Sequence, residues 1–430
     1  MSFDKFSDIL STIAEKVDDN KYLSSIKMTF TIYLPLIIIG SFATLFNVLL
    51  TSKTTGLAQF GPFDFLTSIE PAFTAIKFAT MDIMTIPIIV ILGMVLAKKN
   101  KQNEYVAGLV ALASYITVIP QGIKTFVDNA ESIVKGLPTS GIDASGLFIG
   151  MILTILVIEA FSKLANIDKL KIKMPPTVPA AITNSFNAII PLFIILIIVS
   201  ILGNIFKNIS GLYLNEAIYN WVQAPLENAF QSPAGILFII FLSQLFWLLG
   251  IHGGLIISPI RNPLAIAALA ANIAAVEAGL QPTEAITLGF WFVFVVPGGA
   301  GLTFCLIIAN LIASRREDHR MLSKTALVPG IFGISEPVVF GLPLILNPTF
   351  AIPFTIGPVI TVGLALIAVN TGFITPNIVD VPFGIPLGIN AFLGFGFKGV
   401  IVQLLILIIG ILIYLPFVLF ANKQVAKGNQ

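Results

Sequence analysis

The chain has 430 residues, of which 56% are hydrophobic and 11% charged, and its formal net charge is +2. Soluble domains carry roughly 25% charged residues, so this composition excludes an ordinary water-soluble protein. The near-neutral charge argues against nucleic acid as a partner. We therefore predict an all-α integral membrane protein in a lipid bilayer, with about ten transmembrane helices, re-entrant or broken helical hairpins and amphipathic surface helices.

The N-terminal segment 1–27 mixes acids and bases, and it contains no apolar core of a signal peptide. Its apolar side chains recur at helical spacing, at Phe3, Phe6, Leu10, Ile13 and Val17. This pattern predicts an amphipathic helix on the inner membrane surface. A short soluble helix docked on the cytoplasmic face fits the same pattern.

Long apolar runs fill most of the remaining chain. An uncharged run of about 18 or more residues can cross a bilayer as a helix. The clear runs are 28–50, 174–206, 228–260, 285–314 and 399–422. Further candidates, which are shorter or contain charged residues, are 72–97, 105–121, 145–162 and 353–369.

Basic residues concentrate in three loops and after the last run, and the positive-inside rule places these segments in the cytoplasm. They are Lys98, Lys99 and Lys101; Lys163, Lys169, Lys171 and Lys173; Arg315, Arg316, Arg320 and Lys324; and Lys423 and Lys427. Both termini are therefore predicted to be cytoplasmic.

The two halves of the chain differ in how often glycine and proline interrupt their apolar runs. Apolar runs in 28–205 are fairly continuous, whereas glycine and proline interrupt those of 235–430 repeatedly. Between the halves, 206–234 carries Trp221 among polar residues, which is typical of a connector at the headgroup layer, and Pro225 is expected to kink or end a helix there. We predict that the second half contains the functional site.

Two interrupted segments in the second half resemble each other. GIHGGLIISPIRNP occupies 250–263, and GISEPVVFGLPLILNP occupies 333–348. Proline removes a backbone donor, and unpaired backbone at membrane depth is tolerated only where it is buried in protein or lines a wet cavity. Paired interruptions of this kind point to a binding site near the membrane midplane.

Glu336 is the only formally charged residue between Lys324 and Asp380. An ionisable side chain at membrane depth usually faces a cavity and serves a function. A carboxylate accepts hydrogen bonds from adjacent hydroxyl groups, which suits a sugar. A structural role as a helix cap within the broken element is the alternative.

Three further residues are candidate ligand contacts. His252 lies among glycines that permit close backbone approach, and Gly299 lies in the PGGAG interruption of 297–301. Close helix packing explains the small residues of PGGAG equally well. Asn184 belongs to a polar cluster at the start of a span, where a capping role is the alternative.

Other polar residues are predicted to have structural roles or remain unassigned. Lys77 and Asp82 are five residues apart, which puts them on different faces of an α-helix, with Lys77 extended toward the surface. His319 is expected to be solvated in its basic loop. Cys305, the single cysteine of the chain, is expected to pack as a buried apolar residue.

The sequence shows no motif for binding a metal ion or a nucleotide. One histidine and one glutamate do not supply the ligands of a zinc site. The chain also lacks a Gly-rich Lys loop for phosphate, so it is not an ATP-driven pump. We predict no metal and no cofactor.

The segment 333–348, with the Ile352-Pro353-Phe354 turn after it, resembles the signature of the membrane-embedded EIIC component of the phosphoenolpyruvate-dependent sugar phosphotransferase system, lactose/cellobiose/diacetylchitobiose family. The resemblance covers nearly the whole chain, including 174–191, GIHG and PGGAG. It implies a bacterial cell-membrane homodimer that pairs through 28–205. It also implies that 235–430 holds a β-linked disaccharide similar to cellobiose, chitobiose or lactose.

The resemblance also implies roles for two residues. Glu336 and His252 match the sugar-contacting glutamate and histidine of the family. The C6 hydroxyl of the sugar would be phosphorylated by a phosphocysteine on a separate cytoplasmic EIIB protein, with Glu336 as the catalytic residue. The chain departs from the family pattern after Asp380, where Phe383 stands in place of a tryptophan and leaves the identity of the sugar open.

An ion-coupled sugar symporter is the alternative function, with Glu336 as a proton or sodium site. A broken helix with one carboxylate suits both transporters. An intramembrane enzyme would need a catalytic pair in facing spans, and the sequence shows none.

Overall fold

The computed structural model describes residues 19–428, except 54–55, 128–129, 173, 176–177, 343 and 345–346. Most of the predicted amphipathic N-terminal helix, residues 1–18, lies outside the described residues. The described chain is mostly helical, with one short pair of strands, which confirms the prediction of an all-α membrane protein. It divides into two compact units, Asp19–Glu227 and Asn228–Gln430.

The first unit consists mainly of α-helices. They are α1 (Lys21–Phe46), α2 (Glu70–Lys77), α3 (Thr85–Lys99), α4 (Glu104–Ile116), α5 (Leu147–Ala165), α6 (Ala180–Asn187), α7 (Ile189–Ser210), α8 (Leu214–Ile218) and α9 (Ala224–Gln231), which continues past the unit boundary. π-helical segments occupy Asn47–Thr51, Phe78–Asp82 and Tyr219–Gln223. The 3-10 segments are Leu57–Gln59, Gly61–Ile69, Thr139–Gly141, Ala144–Gly146 and Asp168–Leu170.

The first span begins earlier than the apolar run indicates. The side chain of Asn20 accepts hydrogen bonds from the backbone N–H groups of Tyr22 and Leu23, at 2.9 and 3.1 Å, and so caps α1. Residues 21–27 therefore belong to the spanning helix and not to a separate surface helix. A short antiparallel hairpin, β1 (Gly122–Val127) with β2 (Ala130–Lys135), is an addition that the apolar pattern did not indicate.

Small residues bring α3 and α4 into close contact. A Cβ atom at Gly93 would lie 3.1 Å from the carbonyl oxygen of Ala107, and one at Gly108 would lie 3.1 Å from the side chains of Val90 and Met94. Glycines at a helix crossing allow the backbones to approach and gain van der Waals contact, the main source of helix association in membranes. The two helices therefore pack closely against each other.

Lys77 and Asp82 form an ion pair of 3.1 Å, so the prediction that they face apart was wrong. The chain between them is a π-helix, in which hydrogen bonds join residues five apart and align their side chains. The Lys77 side chain is 10% exposed and does not extend to the surface. The tyrosine hydroxyl of Tyr33 donates to the backbone oxygen of Thr80 at 2.5 Å and holds this turn against α1.

The second unit contains the interrupted segments. Its helices are α10 (Pro233–Leu248), α11 (Gly253–Glu277), α12 (Leu288–Phe290), α13 (Thr303–Ala313), α14 (Glu317–Ile331), α15 (Glu336–Gly341), α16 (Pro348–Asn370) and α17 (Ile389–Gly428), with a π segment at Trp291–Val295 and a 3-10 segment at Ala300–Leu302. Cys305 of α13 is fully buried and its thiol lies 3.5 Å from the backbone oxygen of Leu407, so it packs as expected.

Prolines break these helices less often than the sequence indicates. Helix α11 runs through Pro259 and Pro263, and α16 runs through Pro353 and Pro358. The interruption in 250–263 lies instead before His252, where Gly250 has φ of +82°. Proline within a membrane helix is tolerated when neighbouring groups satisfy the freed carbonyl, so a proline marks a break less reliably than a glycine with positive φ.

Among the described residues, seven helices are long and apolar enough to cross a membrane, or up to nine if two bent pairs are each one span. The prediction of about ten spans counted the Glu336 region as one of them. The structure places a helix of six residues there, which is too short to cross.

His319 is 6% exposed, so the prediction that it is solvated was wrong. Helix α14 begins at Glu317 and turns the imidazole inward, 6.3 Å between ring centres from Phe350. Burial, helped by the positive charge of Arg316, lowers the pKa of His319 from its ordinary value of 6.5. The buried imidazole is therefore neutral when the unfolded one is still partly protonated.

Acidification is expected to destabilise the protein through His319. Because its folded pKa lies below its unfolded pKa, the unfolded state binds more protons, and stability is lost as the pH falls below about 6.5. Replacing His319 with Gln should reduce the fall in melting temperature between pH 7 and pH 5, measured by thermal unfolding in detergent. The same change at His252, the other histidine of the chain, should leave that fall in place. Identical pH profiles for wild type and H319Q would contradict this assignment.

Candidate functional site

His252 is held at the break between α10 and α11. Its Nδ1 accepts a hydrogen bond from the backbone N–H of Leu255 at 3.2 Å and caps α11. The ring of Trp247 lies against the imidazole, with 4.2 Å between ring centres. These contacts fix the position of the ring without burying its other edge, because the side chain remains 42% exposed.

Glu336 lies opposite this imidazole. It is the first residue of α15, and it follows the turn at Gly333, whose φ is +80°. The distance from its Oε1 to Nε2 of His252 is 3.9 Å, and the Glu336 side chain is 47% exposed. Since Nδ1 of His252 already accepts a hydrogen bond, a neutral imidazole carries its proton on Nε2, on the side of Glu336.

Gly299 supports the Glu336 turn. A Cβ atom at this position would lie 2.9 Å from Cβ of Ser335, and its φ of +112° also favours glycine. Its backbone N–H donates to the oxygen of Val296 at 3.0 Å, so that amide is already engaged within the protein. These contacts favour the packing role of PGGAG, and contact between Gly299 and a ligand stays a prediction.

Asn184 lies in α6 of the first unit, and its side chain is outside the described part of the chain. The structure thus brings together His252, Glu336 and the Gly299 loop within the second unit. A contact of Asn184 with the ligand stays a prediction.

Phe383 replaces the aromatic residue expected from the family pattern. Its ring edge would lie 3.4 Å from a Cβ atom at Gly333, and its side chain is 59% exposed. The ring of Phe292 lies 5.9 Å away between ring centres. An aromatic surface is therefore retained beside the Glu336 turn, although it is smaller than a tryptophan and has no N–H donor.

Three polar or aromatic residues of this unit were missed by the sequence analysis. Trp247 stacks on His252, as described above. Arg261 is 7% exposed, donates to Oδ1 of Asn262 and lies 4.7 Å above the ring of Trp291. Asp380 is 1% exposed, and neither of its carboxylate oxygens has a hydrogen-bond partner among the described residues.

A signal for one of them was present in the sequence. Arg261 is the only charged residue between Glu227 and Glu277, the same kind of isolation that pointed to Glu336. Trp247 had no comparable signal, because an aromatic residue in an apolar run is ordinary. No group of three or more His, Cys, Asp or Glu side chains that could hold a metal occurs in the described ranges.

The fold and the site define a polytopic membrane protein with a carboxylate and an imidazole facing each other at helix breaks. The model of the family "Phosphotransferase system, EIIC" matches residues 27–358. The chain belongs to this family, the membrane-embedded sugar permease components of the phosphotransferase system, and is a bacterial cell-membrane protein.

Individual relatives match over nearly their full length. The oligo-beta-mannoside-specific EIIC component of Bacillus subtilis is 30% identical over 100% of this chain and 96% of its own. The cellobiose-specific EIIC component of Lactococcus lactis is 26% identical, covering 96% of each chain. The crystal structure of the transporter ChbC, the IIC component from the N,N'-diacetylchitobiose-specific phosphotransferase system, superposes with a TM-score of 0.90 at 29% identity, covering 97% of this chain and 98% of that one.

Proposed function

We propose that this permease imports a β-linked disaccharide and presents its C6 hydroxyl to a phosphocysteine on a separate EIIB protein. The observation that carries the proposal is the 3.9 Å between Nε2 of His252 and Oε1 of Glu336. This separation is too long for a hydrogen bond. It suits a ligand hydroxyl that donates to the carboxylate and accepts from the imidazole, because a hydroxyl group does both.

The reaction at this site transfers a phosphoryl group to the sugar. The C6 oxygen attacks phosphorus, the S–P bond of the EIIB phosphocysteine breaks, and the cysteine leaves as a thiolate. The proton of the C6 hydroxyl passes to the carboxylate of Glu336, which acts as general base. The single cysteine of this chain, Cys305, is fully buried and has no part in the transfer.

A β-linked disaccharide is favoured by the relatives and by the aromatic surfaces. The names of the matched proteins specify oligo-beta-mannoside, cellobiose and diacetylchitobiose. Phe383, which is exposed, and the neighbouring Phe292 offer ring faces beside the Glu336 turn. Sites of this type combine apolar and aromatic walls with a few placed polar groups.

We further propose a homodimer that pairs through 28–205, with both termini in the cytoplasm. The basic residues at the ends of α3 and α5 support this orientation by the positive-inside rule. Helix α7 exposes large apolar side chains such as Phe193 and Leu202, at 65% and 60%, which suits contact with lipid or with a second copy. Cross-linking of single-cysteine variants along α7 in membranes would test the pairing.

Transport measurements separate this function from an ion-coupled symporter. Uptake by vesicles supplied with phosphoenolpyruvate and the partner proteins should survive a protonophore, deliver phosphorylated sugar and stop when EIIB is omitted. A symporter needs only an ion gradient and delivers unmodified sugar. Accumulation of free sugar that a protonophore abolishes would therefore replace the present assignment.

Removing the imidazole should weaken sugar binding. In His252→Ala, both the Nε2 donor and the cap of α11 are lost, and we expect sugar affinity to fall roughly tenfold, as for the loss of one hydrogen bond in a protected site. Asparagine is a good N-cap residue, so His252→Asn keeps the cap while removing the imidazole. Calorimetric titration should show weakened binding in both variants. Affinity restored in His252→Asn would assign the effect to the cap instead of the ligand.

A further inference from the structure

A polar cavity of about 330 Å³ opens at one end of the first unit, remote in sequence from the sugar site. Its volume lies in the roughly 300–1,000 Å³ range of small-molecule sites. It is formed where α3 turns into α4, where α5 ends and just before α7 begins. The polar residues that line it are Lys101, Gln102, Asn103, Asn166, Lys171 and Asn187.

Two of the four amide side chains in this cavity, Asn103 and Asn187, are oriented as donors, whereas the NH₂ group of Gln102 is used on Oδ1 of Asn166 at 3.0 Å. Oδ1 of Asn187 accepts from the backbone N–H of Ile172 at 2.9 Å, and Oδ1 of Asn103 accepts from the backbone N–H of Val106 at 3.1 Å. A backbone N–H only donates, so these bonds fix the orientation of both amides. Each amide is left with its NH₂ group, and a cavity lined by such donors favours an anion.

Lys101 supplies the net positive charge. Its φ is +57°, and the hydrogen bond from the N–H of Gln102 to the oxygen of Ala97, 2.9 Å, closes the end of α3 at a position where glycine is usual. The neighbouring lysines have protein acceptors, since Lys99 donates to Ser24 at 2.5 Å. Among the described residues, the ammonium group of Lys101 has none.

A neighbouring carboxylate offsets the positive charge of the second lysine of the cavity. Lys171 is paired with the carboxylate of Asp168 at 2.7 Å. The rest of the wall is apolar and includes Val106 and Phe161. A ligand for this cavity therefore combines one negative charge and hydrogen-bond acceptors with an apolar portion.

We propose that the cavity binds the phosphate of an anionic phospholipid headgroup, with Lys101 as its charged contact and Asn103 and Asn187 as amide donors. The cavity lies at the ends of spanning helices, where headgroups are found, on the face that the basic loops assign to the cytoplasm. Basic pockets between transmembrane helices on that side are suited to anionic headgroups. This assignment does not depend on the sugar or on the EIIB partner.

The test is thermal unfolding of the purified, delipidated full-length protein with added phosphatidylglycerol, phosphatidylcholine of the same acyl chains, or inorganic phosphate. Wild type should be stabilised by phosphatidylglycerol alone. Lys101→Gln should weaken its apparent affinity for that lipid roughly fivefold, the equivalent of about 1 kcal/mol for one lysine near an anionic surface. Lys101→Gly should do the same with an intact fold, because glycine accepts positive φ.

Lys135→Gln is the matched control, since it removes another exposed lysine, at the end of β2. It should retain the wild-type response to phosphatidylglycerol. Equal stabilisation by phosphatidylcholine, or an unchanged response in both Lys101 variants, would overturn the proposal. Stabilisation by inorganic phosphate alone to the same extent would assign the cavity to a free anion and would overturn the lipid assignment.

Discussion

Replacing Glu336 with glutamine is expected to lower phosphorylation of the sugar by about 10² to 10⁴, the usual contribution of general-base catalysis. Glutamine keeps the size of the side chain and still accepts a hydrogen bond, but it does not take up the proton of the C6 hydroxyl. Sugar binding should be reduced and remain measurable, because His252 and the aromatic surfaces are unchanged. The loss should therefore appear mainly in the turnover rate.

The matched control is Glu317→Gln. Like Glu336, Glu317 is the first residue of a helix in the second unit, and it is exposed. Phosphorylated sugar formed by vesicles with phosphoenolpyruvate and the partner proteins, alongside equilibrium binding in detergent, would separate catalysis from affinity. Wild-type turnover in Glu336→Gln would show that the carboxylate is not the base.

Isolation of polar side chains in an apolar sequence pointed to two residues that the structure brings together. Glu336 and His252 were singled out from different interrupted segments, and the structure places them 3.9 Å apart. The reason is energetic: an ionisable side chain at membrane depth is costly, so it persists where it has a partner, a cavity or a function. The same reasoning applied to Arg261 would have singled out a buried polar residue of the second unit.

Predictions made from residue spacing along the sequence were wrong at three places in the structure. Lys77 and Asp82 were separated by assuming α-helical periodicity, but a π turn aligns residues five apart. The segment 250–263 was predicted to be interrupted, although α11 continues through its prolines, Pro259 and Pro263. His319 was taken as solvated because its neighbours in sequence are charged, whereas packing between helices decides its burial. These outcomes depend on tertiary contacts that the spacing of residues does not encode.

The largest expected structural effect is at Gly253, the first residue of α11. A Cβ atom there would lie 1.9 Å from the backbone oxygen of Ser243 and 2.7 Å from its carbonyl carbon. Both atoms belong to the backbone of α10, so rotation of a side chain does not relieve the clash. Overpacking of this kind typically costs about 1–3 kcal/mol, and more where the backbone must move. Gly253→Ala should therefore separate α10 from α11 and displace His252.

Gly254→Ala is the matched control within the same helix turn. A Cβ atom at Gly254 meets only the imidazole of His252, at 3.4 Å, which is ordinary contact, and alanine is favoured over glycine in a helix by about 1 kcal/mol. We expect Gly253→Ala to lower both the melting temperature and the sugar affinity, and Gly254→Ala to leave the melting temperature unchanged or raised. Equal stability of the two variants would mean that α10 and α11 lie farther apart at Gly253 than the structure shows. Loss of sugar affinity in Gly253→Ala without loss of stability would instead place the effect on the position of His252 alone, because that side chain both caps α11 and faces Glu336.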